Sequence, residues 1–190
     1  VLDLKAGNLR SVCNAVYECG FDYQVVSSVG QFDDLSHIII PGVGHFGRVV
    51  RHVVENSLFD PLREFAASGR PLLGLCVGMQ LLATSGSEGG EIAGLNLVPG
   101  TVVRFNIDKN LAVPHVGWND VVLKRDHPVF VGIRTGRDFY FVHSYHLVCD
   151  QPDYAIGVTD YGASFVSAVG RDNIVGFQFH PEKSQLNGLS

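Results

Sequence analysis

Of the four cysteines, at positions 13, 19, 76 and 149, only Cys76 stands in a setting that suggests chemistry. An apolar run, Leu72-Leu73, leads into Gly74-Leu75-Cys76-Val77-Gly78, and helix-forming residues follow at once. This is the G-x-nucleophile-x-G pattern of a strand-to-helix turn, with Cys where hydrolases of another fold carry Ser. A residue at the apex of such a turn is strained, and side chains two positions away would crowd it, so glycines flank it. The turn also brings the sulfur to a helix N-terminus, where free amides and the helix dipole favour thiolate over thiol. The Val77 N–H then points at any oxyanion formed beside the sulfur. The competing reading is a buried structural cysteine; the paired glycines and the immediate helix count against it. No two cysteines form a CxxC pair, so neither a zinc site nor a disulfide framework is expected. Free thiols fit a reducing compartment, and the cytoplasm is the expected location.

A base for Cys76 is available near the C-terminus. The strand-like run Ile174-Val175-Gly176-Phe177-Gln178-Phe179 leads into His180-Pro181-Glu182. In extended geometry residues i and i+2 face one side, so His180 and Glu182 can project together, with Pro181 stiffening the link. A carboxylate beside an imidazole fixes its tautomer and stabilises the cation formed when it takes a thiol proton. A surface histidine with an incidental acidic neighbour is the competing reading. Against it, Cys76 and His180 both follow predicted strands, and strand ends in an open α/β sheet gather at one edge, where ligands bind.

The elements that must position these groups alternate through the first half. Residues 1–4 read as a strand, and Asn8 is placed to cap a helix that runs to Cys19 and stops at Gly20. Residues 24–26 and 38–40 read as strands, and a helix presents Phe59, Leu62, Phe65 and Ala66 on one face before Gly69. Strand 72–76 and helix 78–84 follow. In the second half, residues 101–105, 120–123, 139–142, 155–158, 164–169 and 174–179 are strand-like, separated by Gly, Asp, Asn and Pro. The expected fold is α/β, with one domain over 1–190: a mostly parallel central sheet flanked by helices, with antiparallel additions in the C-terminal half. Hydrophobic residues make up 46% and charged residues 17%, which suits a globular core. Net charge is −5 without a basic block, which argues against nucleic acid and anionic membranes as partners. No apolar run reaches the roughly 20 residues needed to span a bilayer. The chain starts without Met, which fits numbering that begins inside a longer polypeptide.

Gly74-Leu75-Cys76-Val77-Gly78-Met79-Gln80 together with His180-Pro181-Glu182 closely resembles the class I glutamine amidotransferase family. Pro114-His115-Val116-Gly117-Trp118-Asn119, Phe141-Val142-His143-Ser144-Tyr145-His146, Gly7-Asn8-Leu9-Arg10-Ser11-Val12 and Lys183-Ser184-Gln185 are similar to one branch of it, over almost the whole chain. In that branch the ammonia goes to a (β/α)8-barrel cyclase, separate or fused, in histidine biosynthesis. The resemblance implies hydrolysis of L-glutamine to glutamate and ammonia through a Cys76 thioester, with His180 and Glu182 completing a triad and no cofactor. It also implies that Val43 supplies or gates a second oxyanion amide beside that of Val77. Gly44, Gln80, Ser144 and Tyr145 would contact the substrate, the last two through backbone at its α-amino-acid end. Asn8 and Lys183 would lie towards the cyclase. The first loop departs from the branch, with Leu4-Lys5-Ala6 where Tyr-Gly is usual.

Two other patterns compete. Gly42-Val43-Gly44-His45-Phe46-Gly47 matches G-x-G-x-x-G after a strand, with Glu64 near the distance of a ribose-binding acid, so a dinucleotide-binding module is an alternative. It follows the third expected strand rather than the first, and residues 45–52 are bulky and charged without an evident N-cap. His143 and His146 could suggest a metal pair, but strand residues three apart face opposite sides, and no metal is expected.

Overall fold

The structure is a computed structural model that describes residues 1–108 and 110–189. Its helices are α1 (Leu9–Glu18), α2 (Phe46–Glu55), α3 (Phe59–Ala67), α4 (Val77–Leu81) and α5 (Gln185–Gly188). Strands β1 (Ile38–Ile40), β2 (Leu72–Leu75), β3 (Ser85–Gly86), β4 (Ile92–Ala93) and β5 (Gly100–Arg104) occupy the first part of the chain. The remainder carries β6 (His115–Leu123), β7 (Arg137–His143), β8 (Tyr145–Cys149), β9 (Ala155–Asp160), β10 (Ser164–Arg171) and β11 (Ile174–Phe177).

A seven-stranded sheet runs β1-β2-β11-β10-β9-β6-β7, and a four-stranded sheet runs β4-β3-β5-β8. The β1–β2–β11 end is parallel, as alternating strands and helices require, while the chain from β6 to β10 joins in antiparallel pairs. The antiparallel strands outnumber the parallel ones. The segments at 1–4 and 24–26 extend the parallel end through one bridge, Leu2 to Val26, and a bond from Leu2 N–H to Ile39 C=O. The α/β class, with a mixed sheet flanked by helices, holds.

Residue alternation on the strands splits the core in two. Ile38, Ile40, Leu72 and Ile174 pack with Val49, Val53, Leu62 and Phe65 of α2 and α3. Leu75, Phe177, Phe179 and Phe141 pack on the opposite side with Val12 and Cys13 of α1. This double cover is what short aliphatic parallel strands demand. Five of these elements lay outside the sequence reading: α2, α5 and the short strands β3, β4 and β8. The start of α2 is capped by His45, whose Nδ1 accepts from Gly47 N–H at 3.1 Å, and by Glu88, whose Oε2 accepts from Phe46 N–H at 2.6 Å. A cap that arrives from 42 residues away leaves no local signature.

Candidate active site

The nucleophile candidate sits where β2 becomes α4. Cys76 has φ 53° and ψ −110°, a backbone conformation disfavoured for a residue with a Cβ, and it is the N-cap of α4. Its N–H donates to Phe177 C=O at 2.7 Å, so the bend is anchored to the neighbouring parallel strand β11. The flanking glycines are required by close approach. A Cβ on Gly74 would strike the Gly78 backbone, and one on Gly78 would strike the carbonyl of Ile40. As the first residue of α4, Val77 has an N–H with no intrahelical acceptor.

Strand β11 ends beside Cys76 because Phe177 pairs with Leu75 in parallel register. Three residues later His180 is fixed by its N–H to Tyr140 C=O (2.9 Å) and by its C=O, which accepts from Ser184 Oγ (2.6 Å). Glu182 reaches His180 through a 3-10 turn, Pro181–Lys183, rather than by strand alternation. The turn brings Glu182 Oε1 to 2.7 Å from His180 Nδ1, and the two side chains are 0% and 1% exposed. Asn8, at φ 66°, does not use its side chain to cap α1; its Nδ2 donates to Glu182 Oε1 and lies 3.3 Å from His180 Nδ1. Asn8 therefore stands behind the His–Glu pair. Lys183 is exposed, with its Nζ 5.7 Å from the centre of the Tyr140 ring, and Tyr140 in turn meets the half-exposed Trp118.

With Nδ1 engaged, Nε2 of His180 is buried and has no partner at hydrogen-bonding geometry. Burial would lower the imidazole pKa, but the nearby Cys76 sulfur and the bond and charge of Glu182 overcome it and raise it to about 9. For Glu182 burial pushes upward, and the bond and charge of His180 hold its carboxyl below the usual value. Cys76 is near enough to influence the imidazole, and Nε2 is the ring nitrogen left available for a thiol proton.

A cavity of about 350 Å³ opens in front of Cys76, and Val43, Gly44, Gln80, Ser144 and Tyr145 line it. Val43 N–H is turned away, donating to Ala6 C=O at 2.8 Å, and Gly44 takes φ 126°, a value open to glycine alone. Gln80 Nε2 donates to Tyr145 C=O (2.9 Å) and to Gln178 Oε1 (3.0 Å), which leaves its own carbonyl oxygen for a ligand. The carbonyls of Ser144 and Tyr145 already accept from Phe105 N–H and Gln80, so a ligand would meet the other backbone and side-chain groups of these residues.

Two polar residues escaped the sequence reading. Glu88 lines the cavity; its one signal was an acid in the glycine-rich run Ser85-Gly86-Ser87-Glu88-Gly89-Gly90. Gln178 is fully buried, and its Nε2 donates to Cys76 Sγ at 3.7 Å. In the G-x-G-x-x-G segment, the amides of Phe46 and Gly47 are taken by Glu88 and His45, so the α2 N-terminus is not a phosphate cradle. His143 faces the cavity, while His146 stacks on Phe105. A larger groove of about 900 Å³ beside α1 has mainly aliphatic walls, including Val12, Val16, Ile39, Leu73 and Val175. Cys76 opens onto the smaller cavity, where Gln80 and Glu88 join it, and does not line the larger groove.

The model of the family described as glutamine amidotransferase class-I matches residues 1–188. Curated relatives are named imidazole glycerol phosphate synthase subunit HisH. The one from Sulfurimonas denitrificans is 46% identical over 100% of this chain and 92% of its own length. That from Moorella thermoacetica is 42% identical over 100% and 89%. Among solved structures, a glutamine amidotransferase superposes with a TM-score of 0.77 at 17% identity, over 99% of this chain and 93% of its own. The structure of PurLQS from Thermotoga maritima gives 0.73 at 17% identity, over 96% and 87%. At that identity the structures speak for the fold.

Proposed function

Since the chain belongs to the class I glutamine amidotransferases, we propose that it hydrolyses L-glutamine to glutamate and ammonia at Cys76, as the glutaminase subunit or domain of an imidazole glycerol phosphate synthase. The observation that carries this reading is Cys76 at a strained helix N-terminus, backed by the free Nε2 of His180 with Glu182 on Nδ1.

In this reading His180 Nε2 takes the thiol proton. The sulfur adds to the glutamine carboxamide carbon, forming the C–S bond and moving charge onto the carbonyl oxygen. The Val77 N–H faces that oxygen. Collapse breaks the C–N bond, the leaving nitrogen takes the proton from His180, and ammonia departs, leaving a thioester. Water then attacks, His180 accepts its proton, and the C–S bond breaks to release glutamate. Glu182 holds the imidazole tautomer and offsets its charge throughout. Glu88 and the carbonyl of Gln80 are suited to the substrate ammonium, which needs acceptors. The relatives' name, a synthase subunit, supports a second component that uses the ammonia, here a (β/α)8-barrel cyclase. The exposed Lys183 and Trp118, with the part-buried Tyr140 between them, are a surface on which it would dock.

Labelling with a glutamine-like electrophile tests the nucleophile. Cys13 is as buried as Cys76 but does not line the cavity, Cys149 has its thiol pushed up to about 11 by burial, and Cys19 is exposed but lies outside the cavity. Peptide mapping after limited labelling is expected to place the adduct on Cys76. Equal modification of all four would refute the assignment.

A further inference from the structure

Behind the cavity wall lies a run of buried polar side chains that the reaction does not consume. Its fixed point is the carbonyl of Tyr145, which can only accept. It receives Gln80 Nε2 at 2.9 Å and His143 Nδ1 at 2.9 Å. A carbonyl acceptor decides the orientation of each partner, which for amides and imidazoles is otherwise open. Gln80 must face it with its NH2 group, and the second hydrogen of that group goes to Gln178 Oε1 at 3.0 Å. Gln178 is thereby forced to turn its own NH2 group the other way, onto Cys76 Sγ at 3.7 Å.

The other arm is equally directional. His143 Nδ1 carries the proton, so Nε2 accepts from His115 Nδ1 at 3.1 Å. His115 Nε2 then accepts from Asn119 Nδ2 at 3.3 Å, and Asn119 is itself oriented by Asp160 C=O and Asp120 N–H. Burial pushes His143 down to about 3 and His115 down to about 4, so both rings stay neutral and keep one donor and one acceptor each.

We propose that Gln178 is a positioning residue for Cys76, holding the sulfur through its amide N–H, and that the Tyr145 carbonyl, acting through Gln80, fixes which way that amide faces. The proposal rests on the reading of Cys76 as the nucleophile. Gln178 does not line the cavity, so its effect reaches the reaction only through the sulfur. Register explains its placement: Phe177 pairs with Leu75, which puts the next residue of each strand, Gln178 and Cys76, side by side. An N–H aimed at sulfur stabilises negative charge there and limits rotation of the side chain; a carboxylate in its place would oppose that charge.

The test compares Gln178→Glu and Gln178→Met with the parent chain. Cys76 alkylation by iodoacetamide is measured by peptide mapping as a ratio to the exposed Cys19 of the same molecule. Hydrogen bonds to charged groups are strong enough that Gln178→Glu is expected to lower the ratio about tenfold or more. Gln178→Met, which removes the donor without adding charge, is expected to lower it less. The kcat for glutamine should fall with the ratio in both variants while KM changes little. A purely structural role predicts something different: equal effects of both variants and new labelling of the buried Cys13 as the core loosens. That pattern, or a ratio within about twofold of the parent in folded Gln178→Glu, would overturn the proposal. If Gln178→Glu fails to fold, the ratio and kcat of Gln178→Met decide by the same criterion. A parent chain whose Cys76 reacts no faster than Cys13 or Cys149 would instead refute the nucleophile reading.

Discussion

Glu182 and His180 are both shielded from solvent, so each depends on the other for its charge. The raised His180 pKa has a definite sign in stability. A group raised from 6.5 to about 9 contributes stability that is complete below 6.5 and is lost as pH climbs through about 9. Glu182, held below 4.5, contributes above 4.5 and loses that contribution as pH falls through its lowered value. Gln at position 182 keeps the shape and removes the charge. Glu182→Gln is therefore expected to destabilise the chain by about 3 kcal/mol near neutral pH. The gap should narrow as pH rises through about 9. Urea unfolding at a series of pH values measures it, and a gap independent of pH would exclude an ionic pair. In turnover the roles separate. Cys76→Ala should abolish hydrolysis while still permitting glutamine binding, and His180→Ala should reduce kcat by about 100- to 10,000-fold, because proton transfer has no substitute. Glu182→Ala should cost less, since it orients and stabilises. A Glu182→Ala chain as active as the parent would remove that residue from the site.

At the level of elements, what could be read from the sequence was what local pattern encodes. β2 with its glycine-flanked cysteine, α1, α3 and most C-terminal strands are set by alternation, helical spacing and punctuating Gly and Pro. His180-Pro181-Glu182 could be read as a unit, but its geometry could not: a 3-10 turn, not strand alternation, brings the two side chains together. α2 stayed hidden because its cap is the distant Glu88, and Gln178 because its partners come from other elements. Asn8 read as a helix cap, yet the fold gives its amide to Glu182. Close packing around the nucleophile turn makes one element-level prediction sharp. A Cβ at Gly78 would enter the space of the Ile40 carbonyl in β1, which backbone hydrogen bonds hold in place. Gly78→Ala is expected to lose about 1–3 kcal/mol or more by urea unfolding, from overpacking. Gly30, whose added Cβ would meet open space, supplies the contrast: Gly30→Ala should leave the midpoint unchanged or raise it slightly. Equal effects would show that the turn tolerates a methyl group.

Across the whole molecule, one short loop ties together two separate parts of the site. Lys5, Gly7 and Asn8 all have φ between 53° and 72°, so the segment between them is tightly bent. Ala6 within it accepts the Val43 N–H, and Asn8 at its end donates to Glu182. The loop thus holds both the peptide that could complete an oxyanion hole and the carboxylate behind the imidazole. With Val43 N–H engaged by Ala6, the oxyanion of the proposed mechanism would meet the Val77 amide but no second donor from Val43. Gly42 stands on one side of the switchable peptide, and its lack of a Cβ lowers the hindrance to rotation on that side. Loss of one oxyanion donor typically lowers turnover about 100- to 1000-fold, so the isolated chain is expected to be slow. A cyclase that binds better to the form with Val43 N–H turned inward would shift the population by that difference in affinity. Steady-state glutaminase rates of this chain, with and without a barrel cyclase and its ligand, measure the effect. The expected result is a rise of about 100-fold or more on docking. An isolated chain already at the full rate would mean that the Val43 peptide is not a switch, and would leave the roles of Cys76, His180 and Glu182 as they stand.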